Sequence, residues 1–254
     1  MTRKNEGIYT GFAQGYDLVM RDVDFEQWAR HILRLRDRHG LEGNRILNLA
    51  CGTGVMEPTW IEHGFEVLGI DQSEEMIVEA RRKNSDLDGV VFEVGDMREF
   101  DLGEKYDLIT CLYDSLNYLT DAADVRKFFR RVKAHLAPDG GFIFDVATEA
   151  NILDNFTETT YAENLEEFAY IWENSYNLRT KICQSDFAFF RLDPNTGQFV
   201  RRIETHFQKM YSSRDLNQWL GKCGLKTLAS YDGVTLNPPH SRSDRIHFVA
   251  GLQP

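Results

Sequence analysis

Basic side chains are in short supply: 29 lysines and arginines face 40 aspartates and glutamates, for a formal charge of −11. That deficit argues against a surface built to hold phosphates, so nucleic acid is not expected as a partner. No run of about 18 apolar residues exists to cross a bilayer. The start, Met1-Thr-Arg-Lys-Asn-Glu-Gly7, is not followed by the apolar core of a signal peptide, so no membrane partner and a cytoplasmic location are expected. Cysteine is sparse. Cys51, Cys111, Cys183 and Cys223 form no CxxC pair, which fits reduced thiols rather than a disulfide framework or a zinc site. The seven histidines show neither HxxxH nor HExxH spacing, and no metal is expected.

What is present is enough to fold: 42% of the residues are hydrophobic over 254 positions, which suits one large α/β domain or a smaller one carrying an insertion. Charge is distributed unevenly. Residues 1–150 hold 18 basic and 28 acidic side chains, whereas residues 151–254 hold 11 and 12.

Two apolar runs, Arg45-Ile-Leu-Asn-Leu and Glu66-Val-Leu-Gly-Ile, each end in a polar or glycine-rich turn and read as buried parallel strands. A helix over 55–63, closed by Gly64, makes them a βαβ unit. The rhythm continues with a helix capped by Ser73, a strand over 90–94, a strand over 106–112, a helix over 121–136 and, after the turn Pro138-Asp-Gly-Gly, a strand over 142–147. Strands alternating with helices predict a doubly wound parallel sheet with helices on both faces. After residue 150 the pattern changes to three long aromatic runs, over 168–177, 181–192 and 199–211, the last two joined by the hairpin turn Asp193-Pro-Asn-Thr-Gly. A helix over 213–223 and strands over 225–231 and 246–252 return to the main sheet, so the three antiparallel strands are an insertion before the last helix and strands.

Chemistry gathers at three successive strand ends. In Asn48-Leu-Ala-Cys-Gly52-Thr-Gly54, glycine lets backbone approach a ligand and leaves amides pointing into the crevice. Asp71, seventeen residues after Gly54, stands where a carboxylate can accept both ribose hydroxyls of a nucleoside. Gly95-Asp96-Met97 offers an acid and an apolar side chain to an adenine. A dinucleotide site shares the first two stations, but its third fingerprint glycine would fall at position 57, where Glu57 would repel a pyrophosphate. A nucleoside cofactor with a positive centre and no phosphates suits the loop better.

The sequence resembles the class I S-adenosylmethionine-dependent methyltransferases. Leu47-Asn48-Leu-Ala50-Cys-Gly52-Thr-Gly54 is similar to motif I, Gly69-Ile-Asp71-Gln72-Ser-Glu-Glu-Met76 to motif II, and Gly95-Asp96-Met97 to the adenine-contacting motif. Asp114-Ser-Leu-Asn117-Tyr118 and Leu136-Ala-Pro-Asp-Gly-Gly-Phe-Ile-Phe-Asp145 resemble the next two. Tyr9-Thr-Gly-Phe-Ala-Gln-Gly-Tyr16-Asp17 resembles the start of the small-molecule group that contains glycine/sarcosine and amino-sugar N-methyltransferases. Asn48 departs from the pattern, since the family usually has an acid there.

The resemblance implies a Rossmann-like domain of residues 1–150 and 212–254 and an insertion of residues 151–211 forming a substrate lid. It implies S-adenosylmethionine held by Tyr9, Tyr16, Asn48, Ala50, Gly52, Gly54, Asp71, Gln72, Met76, Asp96, Met97 and Leu112. Methyl transfer is an in-line displacement in which positioning does most of the work, up to about 7–11 kcal/mol. Tyr9, Phe12 and Tyr16 would face the sulfonium, Tyr9 and Tyr118 are the expected catalytic residues, and Asp114, Asn117, Tyr118, Tyr170 and Trp172 the expected substrate contacts. Residues 149–173 carry seven acids and no lysine or arginine. If they border the pocket they favour a cationic acceptor, so a small amine is expected, with the protein a monomer or homodimer. The alternatives are an RNA or protein methyltransferase, residues 174–254 being mildly basic (11 basic, 6 acidic), and a non-catalytic module that binds S-adenosylmethionine.

Overall fold

The computed structural model describes Tyr9 and residues 12–253. The opening residues 1–8, read above for a signal peptide, and Thr10 and Gly11 of the leading segment lie outside the described residues.

Two sheets organise the chain. The first has seven strands in the order β3 (Val90–Val94), β2 (Glu66–Asp71), β1 (Arg45–Leu49), β4 (Tyr106–Cys111), β5 (Leu136–Ala147), β11 (Arg245–Leu252), β10 (Leu225–Asp232). Strands β3 through β5 run parallel, and β11 pairs antiparallel with both β5 and β10. This is the expected doubly wound sheet. Successive side chains of a strand point to opposite faces, so each strand serves two cores. The leading segment forms α1 (Ala13–Val19), and α2 (Phe25–Arg38) follows it. Ile46, Leu108, Ile143 and Val249 pack under Trp28, Ala29, Ile32 and Leu35 of α2. Leu47, Ile109, Phe142, Phe144 and Phe248 meet Val125, Phe128, Phe129 and Val132 of α5 (Ala122–His135), and Phe144 stacks on Phe248 with centroids 4.9 Å apart.

Helices α3 (Glu57–Glu62) and α4 (Glu74–Lys83) follow β1 and β2, and Ser73 caps α4 by accepting from the Met76 amide. Helix α3 is shorter than the sequence suggests, because it starts only at Glu57, ahead of Pro58. Pro138-Asp-Gly-Gly does not precede β5 but interrupts it: Tyr106 pairs with Leu136 and Leu108 with Gly141, so residues 137–140 stand opposite Asp107 alone, a bulge of three extra residues. A single turn, α6 (Glu149–Asn151), leads from β5 toward the second sheet.

That sheet has four antiparallel strands, not three: β6 (Thr160–Asn164), β7 (Phe168–Asn177), β8 (Ile182–Asp193) and β9 (Gln198–Lys209) in that order. The additional β6 is a five-residue edge strand, Thr-Tyr-Ala-Glu-Asn, held to β7 by main-chain pairing. It shows no apolar alternation, the signal by which the other three are legible. Asp193-Pro-Asn-Thr-Gly forms the predicted hairpin turn, with the Gly197 amide donating to the Asp193 carbonyl at 2.8 Å. Helix α7 (Ser213–Lys222) leads back to β10.

The sheets are joined by Asn117, in the one-turn helix Ser115–Tyr118 after β4. Its amide donates to the carbonyls of Ala147 (3.3 Å) on β5 and Lys209 (2.8 Å) on β9, and its Oδ1 accepts from the Ala147 amide at 3.1 Å. Among the described residues, no helix is long and apolar enough to cross a membrane.

Candidate active site

The carboxyl ends of β1, β2, β3 and β4 and the inner face of the second sheet enclose a cavity of about 320 Å³. It opens at the switch point between β1 and β4, where the crossovers diverge to opposite faces and leave a crevice.

The turn after β1 builds one wall. Ala50 and Gly52 both adopt positive φ (56° and 58°), rare for the alanine. A Cβ on Gly52 would meet nothing within 4 Å, because that position faces the cavity. Gly54 differs: a Cβ there would lie 2.7 Å from the Phe92 ring and 2.8 Å from the Asn84 amide, and Gly54 does not line the cavity. Its glycine serves close packing, not ligand approach.

Asp71, at the end of β2, accepts from the amides of Gly52 and Ser73, each at 2.9 Å. Burial raises its carboxyl pKa, and those amides pull it back toward the ionised form. Gln72, Met76, Gly95, Met97 and Leu112 continue the lining. Asp96 does not join them. Its carboxylate turns to Arg98, Nε–Oδ1 2.9 Å, and Arg98 reaches on to Asp124 at 2.8 Å. Partial burial raises the Asp96 carboxyl, but the Arg98 hydrogen bonds more than offset this and hold it below the usual range.

Asn48 lines the cavity but is committed below it, accepting from the Thr110 hydroxyl at 2.9 Å and donating to Glu57 Oε1 at 2.7 Å. Glu57 is fully buried, its Oε2 has no partner, and desolvation lifts its carboxyl to about 7. Glu57 therefore does not point into the crevice to repel a pyrophosphate. It places beneath Asn48 the acid missing from position 48.

The loop after β4 is bent over a buried ion network. Tyr113 and Asp114 both have positive φ (58° and 53°) and are held there by Asp145 on β5, which accepts from both amides at 2.5 and 3.0 Å. Arg245 of β11 pairs with Asp114 at 2.6 Å and with Asp145, and lies over the rings of Trp28 and Tyr113 at 5.2 and 4.9 Å. Gln208 of β9 donates to the other oxygen of Asp114. Burial alone would lower the Arg245 pKa, but the two carboxylates reverse this and drive it up. Two carboxylates against one guanidinium leave this side of the cavity negative.

Aromatic rings close the top. Tyr9, Phe12 and Tyr16 all line the cavity, with Tyr9 centroids 6.2 Å from Phe12 and 5.9 Å from Tyr16. Phe12 is buried between Phe187 and Phe189 of β8, so the leading segment is packed on the second sheet. Trp172 of β7 lines the cavity, and its buried indole N–H has no acceptor among the described residues. Of the other expected substrate contacts, Asp114 and Tyr118 face the cavity, whereas two do not: Tyr170 packs beside Phe168 and Phe187, and Asn117 is fully buried with its amide spent on joining the sheets.

Four contributors were not anticipated from the sequence: Arg245, Gln208, Glu204 and His206. Tyr118 Oη lies 2.6 Å from Tyr9 Oη and 3.1 Å from His206 Nδ1, and His206 Nε2 lies 3.1 Å from Glu204 Oε2. Burial raises the pKa of both phenols, which are neutral at any working pH. The one available signal was parity: Glu204, His206 and Gln208 alternate along β9 and so share a face, a polar stripe beside Phe187. Among the described residues no three His, Cys, Asp or Glu side chains are grouped to hold a metal.

A buried carboxylate beside an open glycine turn suits the ribose and backbone-facing parts of a nucleoside, while neutral aromatic faces and a negative floor suit a cation. Comparison with known proteins agrees with this. The profile of the family described as "Methyltransferase domain" matches residues 46–140. YqeM of Bacillus subtilis (strain 168), which carries the provisional name of methyltransferase, is 34% identical over 244 residues, 96% of each chain. The dTDP-3-amino-3,6-dideoxy-alpha-D-glucopyranose N,N-dimethyltransferase of Streptomyces fradiae is 34% identical over 135 residues, 52% of each chain. A crystal structure of an S-adenosylmethionine-dependent methyltransferase from Clostridium acetobutylicum ATCC 824 superposes with a TM-score of 0.84 at 28% identity, covering 98% of this chain and 100% of that one.

Proposed function

This chain belongs to the class I S-adenosylmethionine-dependent methyltransferases, and we propose that it methylates the nitrogen of a small-molecule amine. When bound, the cofactor supplies a methyl group on a sulfonium, ready for in-line displacement. The residues that would hold it are Ala50, Gly52, Asp71, Gln72, Met76, Met97 and Leu112, all of which line the cavity. Asp71 offers carboxylate lone pairs to ribose hydroxyls, and Tyr9 and Tyr16 offer rings and phenol oxygens to positive charge.

The observation that carries the amine reading is the Asp114 carboxylate, fixed by Arg245 and Gln208 at the edge of an aromatic-walled cavity. An ammonium or a polarised amine N–H finds an acceptor there, and an anionic acceptor is disfavoured by the excess carboxylate. The name of the Streptomyces fradiae relative, an N,N-dimethyltransferase of an amino sugar, points the same way. The enclosed volume suits a small acceptor rather than a nucleic-acid strand. Tyr118, beside Asp114, is the group placed to take a proton from the acceptor nitrogen, and Trp172 N–H is free to bind an oxygen of the acceptor.

The test is a panel of glycine, sarcosine, 3-amino-3-deoxyglucose, simple phenols and carboxylates, read by formation of the demethylated cofactor. Turnover confined to amines is expected; turnover confined to hydroxyl or carboxylate acceptors would refute the proposal. Calorimetry provides the control on the cofactor site: Gly52→Val and Asp71→Ala should each weaken S-adenosylmethionine at least tenfold.

A further inference from the structure

We propose that His206, backed by Glu204, is the terminal proton acceptor of the site, reached from the cavity through the Tyr118 hydroxyl. The inference rests on the amine reading above and adds the destination of the amine's proton.

The geometry sets the direction of every hydrogen bond in the chain. A main-chain N–H can only donate, so Glu204 Oε2 is the acceptor of the Tyr9 amide at 2.7 Å, and in the same role it takes the His206 Nε2 proton at 3.1 Å. That fixes the tautomer with Nδ1 bare. Nδ1 then accepts from the Tyr118 hydroxyl at 3.1 Å, and the Tyr118 oxygen accepts from the Tyr9 hydroxyl at 2.6 Å. All run along the cavity wall in one direction, toward Glu204. A hydroxyl, an imidazole and a carboxylate in this order form a device that takes a proton from the hydroxyl and stabilises the imidazolium produced. Here the hydroxyl belongs to a buried phenol that has lone-pair capacity left facing the cavity.

The competing acceptors are poor. Each phenol alone would have to become a phenolate or an oxonium, and burial opposes a charged phenol. Asp114 is nearer the floor, and burial raises its carboxyl, but its two oxygens are already engaged by Arg245 and Gln208. A proton placed there would break the pair with a buried guanidinium. Asp114 binds the nitrogen, and His206 takes up its proton. His206 acts through Tyr118 and is a positioning and relay residue, not one that touches the reacting atoms.

The step balances. The acceptor nitrogen's lone pair forms the new N–C bond as the C–S bond of the methyl donor breaks, its electron pair returning to sulfur. The surplus proton on nitrogen passes to Tyr118 Oη as the Tyr118 proton passes to His206 Nδ1. Tyr118 ends as it began, and His206 leaves as imidazolium paired with Glu204.

Two readouts test it. The first needs no turnover: 15N NMR of histidine-labelled protein with S-adenosylmethionine alone should show His206 with Nε2 protonated and Nδ1 bare, and Tyr118→Phe should shift Nδ1 by removing its donor. An Nδ1-protonated tautomer, or no response to Tyr118→Phe, overturns the relay. The second uses the best amine of the panel. His206→Ala should lower kcat about 100-fold or more with KM little changed, and imidazole added to the buffer should restore part of the loss. Tyr118→Phe should lower kcat similarly and abolish that rescue, and the double variant should be no worse than either single one. A His206→Ala enzyme that binds S-adenosylmethionine normally and keeps kcat within about threefold of the parent, or loses it without rescue, refutes the proposal. A wild-type enzyme that methylates phenols and no amine refutes the amine reading instead, and the tautomer then decides the relay by itself.

Discussion

Glu57→Gln tests whether a carboxyl buried without a full set of partners costs this fold stability as pH rises. The Glu57 carboxyl has one side-chain hydrogen bond, from Asn48, an orphaned Oε2 and a pKa lifted from 4.5 to about 7 by burial, which Asn48 and the Met56 and Glu57 amides offset only in part. The folded state therefore holds a proton that the unfolded chain releases between pH 4.5 and 7. Linkage fixes the sign: where the native state binds more protons, stability falls with rising pH. A pKa difference of one between folded and unfolded states is worth about 1.36 kcal/mol, so the loss accumulated between pH 4 and 8 is about 3 kcal/mol. Glutamine keeps the carbonyl that accepts from Asn48 and never ionises. At pH 4.5 the variant should resemble the parent. At pH 8 it should be more stable by about 3 kcal/mol, or roughly 6–12 °C in Tm for a chain of this size. Urea denaturation of both proteins across pH 4.5–8.5 measures the difference directly. Parallel pH profiles, or a variant equally destabilised at every pH, would refute the reasoning.

Other perturbations separate roles that the sequence merges. Gly54→Ala should cost several kcal/mol, since its Cβ meets the Phe92 ring at 2.7 Å on a positive-φ backbone; Gly52→Ala, facing open space, should lose only about 1–2 kcal/mol in denaturation while weakening S-adenosylmethionine in calorimetry. Arg245→Met should cost about 3–5 kcal/mol by stranding Asp114 and Asp145, and adding Asp145→Asn should recover part of it. His31 and His247, buried with centroids 5.1 Å apart, each have pKa values pushed down to about 3 by desolvation. Their folded state excludes protons that the unfolded chain takes up below about pH 6.5, so stability falls with acid, and His31→Phe should flatten that limb of the urea profile. Tyr9→Phe should lower turnover on the best amine more than cofactor affinity; equal losses would remove its hydroxyl from the reaction.

The pattern of what was legible is physical. The alternation of strands and helices, the Ser73 cap and the Asp193–Gly197 turn depend on residues within a few positions of one another, so periodicity and turn chemistry reveal them. Strand β6 was hidden because an edge strand held by backbone pairing needs no apolar face. Asp71 could be placed because it ends a strand adjacent to the glycine turn. Asp96 could not, because its direction depends on Arg98 and Asp124 together. The pairs Tyr118–His206, Tyr9–Glu204 and Asp114–Arg245 span 88 to 195 residues, the first two reaching the second sheet and the third crossing the end of the first. No local pattern marks an asparagine whose amide is consumed by two carbonyls, so Asn117 read as a substrate contact.

That asparagine has a consequence for how such a protein can change. Its short contacts across the sheet boundary are to main chain, the Lys209 carbonyl on one side and the Ala147 carbonyl and amide on the other, with Met210 Sδ more distant at 3.8 Å. A fastening made chiefly to backbone is largely indifferent to the side chains it holds. Strands β7 to β9 can exchange the residues that meet an acceptor while remaining in the same seat, and the crevice at β1 and β2 is spared. Variation in what is methylated can therefore accumulate on β7 and on the positions of β8 and β9 that make no side-chain bond to the first sheet, and a graft between relatives would need to preserve the Asn117 amide together with the Asp114–Gln208 and Tyr118–His206 pairs.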